Sequence, residues 1–234
     1  NLIDAAKNPS ETDIPVSLYD HYSGRLLYHF MHTMNAKGKP DTLDLEANYT
    51  YDLVAHTIPP VSVDSLTMIP GKHNLLGVDA PQGFINIQAV GFNSRTPVQV
   101  VIRQHDKAET IHVQELNTTQ KYLVGFYDLE FLTLPRVILK DIAVSQSHTT
   151  KVDLPNPGLL SVTKKSKGSG SIFIDRNGKQ EEVVKLDSNQ PRESFYLQPG
   201  DYMIVYRPNG AKSTSFNTQQ KFTIQTGSSA SINL

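Results

Sequence analysis

Histidines supply the most metal-like spacing in this sequence. His29 and His32 stand three positions apart, and His21 lies nearby. Two imidazole nitrogens that converge on one ion can bind zinc or copper. The segment 25–32 is predicted to be a strand, however, and strand residues three apart point to opposite faces of the sheet. We therefore predict no metal site at this pair.

The carboxylates offer no better cation site. Asp41, Asp44 and Glu46 alternate with apolar residues, which predicts a half-buried strand with an acidic outer face. They lack the Asp and Gly spacing of a calcium-binding loop.

Motifs for nucleophilic or phosphoryl chemistry are absent from the sequence. It has no Cys, no Gly-x-Ser-x-Gly and no His-Glu-x-x-His. Residues 168–171 read Gly-Ser-Gly-Ser, which lacks the third Gly and the following helix of a dinucleotide loop. The basic tract 164–167 is predicted to be a solvated hairpin tip, with a phosphate or an acidic partner as the alternative. We predict no catalytic residue, no cofactor and no metal ion.

The composition is that of a globular chain. Of 234 residues, 38% are hydrophobic and 19% are charged, and 22 Lys and Arg nearly balance 23 Asp and Glu. This balance argues against a surface for nucleic acid or for an anionic membrane. No apolar run is long enough to span a bilayer. The sequence starts at Asn1 without a signal peptide, so we expect a mature form or a piece of a longer chain with a flanking domain.

The elements that carry these residues recur along the chain. Tyr51–Pro59 and Tyr127–Pro135 share the pattern Tyr-Asp-Leu-x-x-x-Thr-(Ile/Leu)-Pro at an offset of 76 residues. A fainter third copy aligns Gly200–Tyr206 with Gly125–Phe131. Self-similarity at a fixed period indicates repeated structural units. The chain divides into three units: 1–80, which is the most divergent, 81–156 and 157–234.

Each unit is predicted to be a seven-strand antiparallel β-sandwich. Short runs rich in β-branched and aromatic residues, such as Val98–Arg103 and Ser171–Ile174, are typical of strands. Fourteen Gly and fourteen Pro leave no room for long helices. Gly83–Ile87 and Gly158–Val162 are predicted to begin units 2 and 3, and Ile14–Leu18 to begin unit 1.

A tyrosine precedes an apolar strand in every unit. Tyr51, Tyr127 and Tyr202 hold this position, and Gly125 and Gly200 precede the last two. In Greek-key sandwiches a Tyr at the start of the sixth strand turns its hydroxyl back to the preceding corner. A glycine permits the sharp entry of that strand. We predict that all five residues are structural rather than ligand-binding.

The linkers between units are short and contain proline. Residues 80–83 read Ala-Pro-Gln-Gly and residues 154–158 read Leu-Pro-Asn-Pro-Gly. Proline fixes φ and restricts the residue before it, so these joints should be stiffer than Gly/Ser linkers. The sequence thus predicts a rod of three units.

The third unit carries a family-like signature. Leu197–Val205, with Phe222–Ile224 and Ser231–Leu234, resembles the Leu-x-Pro-Gly-x-Tyr-x-(Ile/Val) pattern of carboxypeptidase-regulatory-like domains. This resemblance implies transthyretin-like, immunoglobulin-like sandwiches without catalytic residues. Tyr51–Pro60 and Tyr127–His148 are similar to the region that follows a von Willebrand factor A domain in some bacterial surface proteins. That similarity implies extracytoplasmic spacer or adhesion modules. The Asp-x-Ser-x-Ser motif of the A domain is absent here, so its metal-dependent site would lie in a flanking domain.

These observations favour a non-enzymatic, extracytoplasmic stalk or adhesion segment of a bacterial surface protein. Its expected partner is a protein or a glycan at the cell surface. A carbohydrate-binding module is one alternative, with Tyr19, Tyr22 and Tyr28 as the candidate aromatic platform. An accessory domain of a larger enzyme is another.

Overall fold

The regular elements are all strands in the part of the chain that is described. The computed structural model describes residues 2–9, 11–40, 42–91, 98–176, 178–210 and 217–234. Among them no helix is long and apolar enough to cross a membrane. The predictions of an all-β chain and of several mainly antiparallel sheets are confirmed.

The first unit has six described strands. They are β1 (Leu2–Ile3), β2 (Ile14–Asp20), β3 (Leu26–His32), β4 (Thr50–Ala55), β5 (Val61–Thr67) and β6 (Val78–Asp79). Four form an antiparallel sheet in the order β3-β2-β4-β5, and β1 pairs with β6 in parallel. The prediction that Ile14–Leu18 begins the unit is wrong, because β2 is its second strand and lies between β3 and β4.

The second and third units have seven described strands each. Those of the second are β7 (Gln82–Ala89), β8 (Gln99–Gln104), β9 (Thr110–Glu115), β10 (Thr118–Leu123), β11 (Gly125–Phe131), β12 (Val137–Val144) and β13 (Thr149–Leu154). Those of the third are β14 (Gly158–Thr163), β15 (Gly168–Arg176), β16 (Lys179–Lys185), β17 (Arg192–Leu197), β18 (Gly200–Pro208), β19 (Thr218–Ile224) and β20 (Ser229–Asn233).

Both units have the same topology. Each has a three-stranded sheet, in the order β10-β7-β13 in the second unit and β17-β14-β20 in the third. Each also has a four-stranded sheet, in the order β12-β11-β8-β9 in the second unit and, strand for strand, β19-β18-β15-β16 in the third. All neighbours are antiparallel except the first and last strands of each unit, which pair in parallel. The predicted antiparallel pairing thus holds for every strand pair of these two units but this one. The closing strand runs beside the opening strand in the same direction.

The acidic strand predicted at 41–46 is not present. Thr42–Glu46 have no regular structure and are mostly exposed, and Asp41 lies outside the described residues. The described residues of the first unit therefore include no counterpart of β10 and β17. Those strands pair with opening strands of eight and six residues, whereas β1 has two residues and offers too short an edge.

Glycine begins the second and third units because the backbone comes close. A Cβ on Gly83 would lie 2.1 Å from the carbonyl oxygen of Ser145. A Cβ on Gly158 would lie 2.5 Å from Cγ2 of Ile224 and 2.9 Å from the carbonyl oxygen of Ser228. In both units the loop before the closing strand crosses the opening strand, so a larger residue would push the two apart.

Each unit has its own hydrophobic core. Buried residues of the three clusters fall within 2–80, 85–154 and 160–232. The predicted corner tyrosines Tyr51, Tyr127 and Tyr202 are at most 2% exposed. Burying an aliphatic side chain contributes about 1.5–3 kcal/mol, so each cluster is a substantial source of stability. We keep the division at 1–80, 81–156 and 157–234 as a proposal that rests on these cores.

Candidate functional site: the joints between the units

A buried carboxylate connects the first unit to the second. Glu11 is 5% exposed. It accepts hydrogen bonds from the backbone N–H and from Nε2 of Gln82, both at 3.1 Å. Nζ of Lys121 lies 3.2 Å from the same carboxylate. A buried charge is tolerated when it is paired and hydrogen-bonded, so these contacts fix the start of β7 and the strand β10 against the first unit.

Apolar side chains also cross both joints. Ile58 of the first unit packs against the core of the second, and Leu123 of the second packs against the core of the first. Leu134 of the second unit packs against the core of the third. Each joint therefore removes apolar surface from water that an isolated unit would expose.

Backbone hydrogen bonds accompany these contacts. The N–H of Leu123 donates to the carbonyl oxygen of Ile58 at 2.8 Å, and the N–H of Gln198 donates to that of Leu134 at 2.8 Å. At the second joint the Arg176 guanidinium also donates to the carbonyl oxygen of Arg136 at 3.2 Å. The two joints thus share one pattern of contact.

The predicted corner tyrosines bond backward to the chain. Tyr51 Oη donates to the carbonyl oxygen of Glu46 at 2.8 Å. Tyr127 Oη donates to that of Leu123 at 2.7 Å, and Tyr202 Oη to that of Gln198 at 2.5 Å. Burial raises the pKa of Tyr127 to about 12. The hydroxyl therefore stays protonated and remains a donor.

The corner lies on a different strand from the one expected. Tyr127 and Tyr202 are on β11 and β18, the fifth strand of each unit rather than the sixth. The chain passes from the three-stranded to the four-stranded sheet between the fourth and fifth strands, and the tyrosine stands at that crossing. Gly125 and Gly200 are the first residues of these two strands.

The second unit contains a His–Asp cluster that the sequence motifs do not predict. His105 Nδ1 lies 3.1 Å from Oδ1 of both Asp128 and Asp141, and its Nε2 lies 3.0 Å from Asp106. The hydrogen bond to Asp128, helped by the charges of Asp106 and Asp141, raises the pKa of His105. Asp141 has a left-handed backbone, with φ at 59°, and its N–H donates to Asp128 at 3.1 Å.

The first unit repeats this arrangement and the third does not. His21 Nδ1 lies 2.8 Å from Asp52, which also accepts the N–H of Ser65 at 2.9 Å. Ser65, like Asp141, has a φ of 59°. In the third unit Met203 follows the corner tyrosine in place of the aspartate. The aspartates belong to the repeated motif, but the two histidines are 84 residues apart and fall out of its 76-residue register.

His29 and His32 lie on β3, as the strand prediction required. His29 Nδ1 lies 2.9 Å from Ser17 Oγ, which is 2.8 Å from Nε2 of His56. His32 is 5% exposed, on the buried side of the strand, whereas His29 is exposed. Among the described residues no group of three or more His, Cys, Asp and Glu is arranged to hold a metal ion.

The prediction of a solvated basic tip is wrong for Lys164. Its side chain is 1% exposed, pairs with the carboxylate of Glu193 and donates to the carbonyl oxygen of Asp187. Lys164 continues the in–out alternation of β14, which places it inward. Lys165 and Lys167 are exposed.

A shallow groove of about 400 Å³ lies on the four-stranded sheet of the third unit. Its outer wall combines the half-buried Phe173 and Met203 with Asp175, Asp201 and Lys221. Such a mixture of aromatic, apolar and carboxylate groups can contact a small polar ligand.

The aromatic platform proposed from Tyr19, Tyr22 and Tyr28 is not assembled. Tyr22 is 83% exposed and has an edge contact with His21 at 5.2 Å. Tyr28 packs against the core of the first unit, 6.3 Å from the ring of Tyr51.

Comparison with known proteins finds remote structural similarity. No protein-family model and no curated protein matches the chain. It is similar to the TIE protein of Bacillus anthracis, at 15% identity and a TM-score of 0.27, over 99% of this chain and 48% of that one. It is also similar to the pilus adhesin SpaC of Lactobacillus rhamnosus GG, at 12% identity and a TM-score of 0.23, over 97% and 38%. The open conformation of SpaC aligns at 10% identity and a TM-score of 0.24, over 100% and 42%.

This chain therefore spans less than half the length of the structures it aligns with. TM-scores at this level carry no argument about function. The resemblances to carboxypeptidase-regulatory-like domains and to von Willebrand factor A-associated regions stay predictions.

Proposed function

We propose that the chain is a non-enzymatic, extracytoplasmic stalk or adhesion segment of a bacterial surface protein, which presents or spaces a binding domain. The observation that supports this proposal best is the pair of joints, where hydrogen bonds and apolar side chains run from each unit into the next. Units that must hold a ligand site at a distance need joints that resist bending. The partner would be a protein or a glycan at the cell surface.

Small-angle X-ray scattering of the purified chain tests the stalk. Each sandwich should be about 35–40 Å long by strand arithmetic. We expect a maximum dimension of about 100 Å or more that does not change with protein concentration. A compact particle would contradict a stalk.

Surface exposure needs a separate test. Antibodies raised against the purified chain should label intact cells of the bacterium that produces it. Labelling that appears only after lysis would contradict an extracytoplasmic role.

The groove of the third unit favours glycan binding as a second candidate. The half-buried ring of Phe173 could stack on a sugar ring, and the neighbouring carboxylates could accept hydrogen bonds from its hydroxyls. On a glycan array, binding that is lost in Phe173→Ala and kept in Tyr22→Ala would support the groove. No binding across a broad array would reject this candidate.

A further inference from the structure

The same turn leads toward the next unit at both joints, after β4 in the first unit and after β11 in the second. We call Thr57–Pro59 and Thr133–Pro135 the docking turns. In each the Thr hydroxyl donates to the carbonyl oxygen of the Pro two residues later, at 2.6 Å and 2.7 Å. This bond closes the turn around its middle residue, Ile58 or Leu134. The middle residue then packs its side chain against the core of the following unit.

One residue of the following unit receives each docking turn. We call Leu123 and Gln198 the receiving residues. The N–H of each donates to the carbonyl oxygen of the middle residue of the docking turn, at 2.8 Å in both joints. The carbonyl oxygen of each accepts the hydroxyl of a corner tyrosine, Tyr127 or Tyr202, four residues later. The tyrosine and the docking turn therefore hold the same residue through its two backbone groups.

We propose that the docking turn and the receiving residue form a repeated recognition pair by which one unit docks on the next in a fixed orientation. The corner tyrosine is a positioning residue for this pair, in addition to its place in its own core. The pair partly buries an apolar side chain, satisfies a backbone donor and places the receiving residue four positions before a corner tyrosine in both joints. These are the properties of an interface between modules rather than of a flexible linker.

The rest of the sequence agrees with this assignment. Thr-(Ile/Leu)-Pro occurs twice in the chain, once at each joint. Where the fifth strand of the third unit ends, the sequence reads Pro208-Asn-Gly210 instead. In the first unit the hydroxyl of Tyr51 bonds Glu46, five residues before it, so the receiving geometry is not repeated there. The pair is thus found where two units meet. It would set their orientation whatever the chain does at a cell surface, so it goes beyond the proposed function.

Amide hydrogen exchange on the full chain tests the pair, because the receiving N–H groups of Leu123 and Gln198 report directly on each joint. In Leu134→Ala we expect exchange at Gln198 to accelerate by about tenfold or more while Leu123 keeps its wild-type rate. In Ile58→Ala we expect exchange at Leu123 to accelerate while Gln198 keeps its wild-type rate. Leu132→Ala is the matched control. Leu132 lies next to the second docking turn, is 38% exposed and should change neither amide.

The milder variant Thr133→Val removes the hydroxyl that closes the turn, and it too should accelerate exchange at Gln198 selectively. Exchange at Gln198 that is unchanged in Thr133→Val and Leu134→Ala would overturn the proposal. So would equal acceleration at Gln198 and Leu123 in either variant.

The positioning role of the tyrosine has its own control. Tyr202→Phe and Tyr206→Phe each remove one buried hydroxyl from the same core, but Tyr206 bonds Ser166, away from the joint. Exchange at Gln198, measured relative to Ile204 in the centre of β18, should rise in Tyr202→Phe and not in Tyr206→Phe. If both variants raise exchange at Gln198 equally, Tyr202 acts only as a core residue and has no positioning role. Surface labelling of cells would be unaffected, so failure of this pair and failure of the stalk are distinguishable.

Discussion

An unsatisfied amide lies at the second joint. Gln198 is 5% exposed, and its side-chain Nε2 has no hydrogen-bond partner among the described residues. The equivalent residue of the first joint is Leu123. Because a buried donor without a partner costs free energy, Gln198→Leu should raise the free energy of unfolding by about 1 kcal/mol in urea denaturation.

The exposed Gln190 of the same unit provides the control for this substitution. Gln190→Leu introduces the same apolar side chain at a position where the amide is exposed to water. It should therefore change the free energy of unfolding by less than about 0.5 kcal/mol. A loss of stability in Gln198→Leu would mean that Nε2 has a partner in solution.

The pKa of His105 makes part of the stability depend on pH. The hydrogen bond to Asp128, with the charges of Asp106 and Asp141, raises this pKa, so the folded state favours imidazolium. The resulting stabilisation is complete below the pKa of an unfolded His, about 6.5, and is lost as pH rises through the higher folded pKa. In urea denaturation from about pH 5.5 to about pH 8.5, the free energy of unfolding should fall across that window. The fall should disappear in His105→Gln.

His112 is the matched control, because burial lowers its pKa. A lowered pKa favours the neutral imidazole, and that contribution is lost as pH falls instead. His112→Gln should therefore keep the decline of the wild type at high pH. An NMR titration that places the pKa of His105 at or below the unfolded value would contradict the assignment.

The buried Lys164–Glu193 pair holds the end of β14 against β17. Lys164 also donates to the carbonyl oxygen of Asp187, and Glu193 accepts the N–H of Asp187 at 2.9 Å. Removing one charge leaves the other buried without its partner, so Lys164→Met should cost about 3 kcal/mol in urea denaturation.

Two further variants separate this effect from the loss of side-chain packing. Lys164→Met combined with Glu193→Leu should recover most of the stability, because no unpaired charge remains. Lys165→Met, at the exposed neighbour, should be within about 0.5 kcal/mol of wild type. A double variant no more stable than Lys164→Met would show that the pair acts through its hydrogen bonds.

The strands that the sequence predicts well are those with clear alternation. The motif around Tyr127 and the β-rich run 171–174 lie on strands, because their apolar residues face a core at every second position. The segment 41–46 has the same alternation, but its described residues, 42–46, do not form a strand. Alternation shows which face is apolar, but a strand also needs a neighbouring edge, and β1 is too short to provide one.

The joints were predicted only in part. Proline in the linkers indicates stiffness, but Ile58 and Leu134, which pack across the joints, lie in the turns after β4 and β11, far from the linkers in sequence. The Thr-(Ile/Leu)-Pro repeat was visible, but its partner is a backbone N–H that carries no sequence signal. Glu11 was equally hidden, because a single acidic residue gives no sign that Gln82 and Lys121 will enclose it.

The joints should make neighbouring units unfold together. Glu11 supplies the carboxylate that Gln82 and Lys121 contact across the first joint. Glu11→Gln removes the charge that neutralises Lys121 and replaces one acceptor oxygen with a donor. We expect the unfolding of the first unit to separate from that of the other two. Calorimetry should show it as an additional, earlier transition.

A substitution at an exposed carboxylate is the control. It separates the loss of coupling between units from the effect of changing the net charge of the chain. Glu115→Gln makes the same change in charge at an exposed position of β9, so its unfolding profile should match the wild type. If Glu11→Gln lowers every transition equally, the carboxylate stabilises the chain without coupling its units. If it lowers none, the first joint depends on its other contacts, such as those of Ile58 and Leu123. An early transition confined to the first unit is the result that a stalk with cooperative joints requires, because bending at a joint first breaks the contacts that cross it.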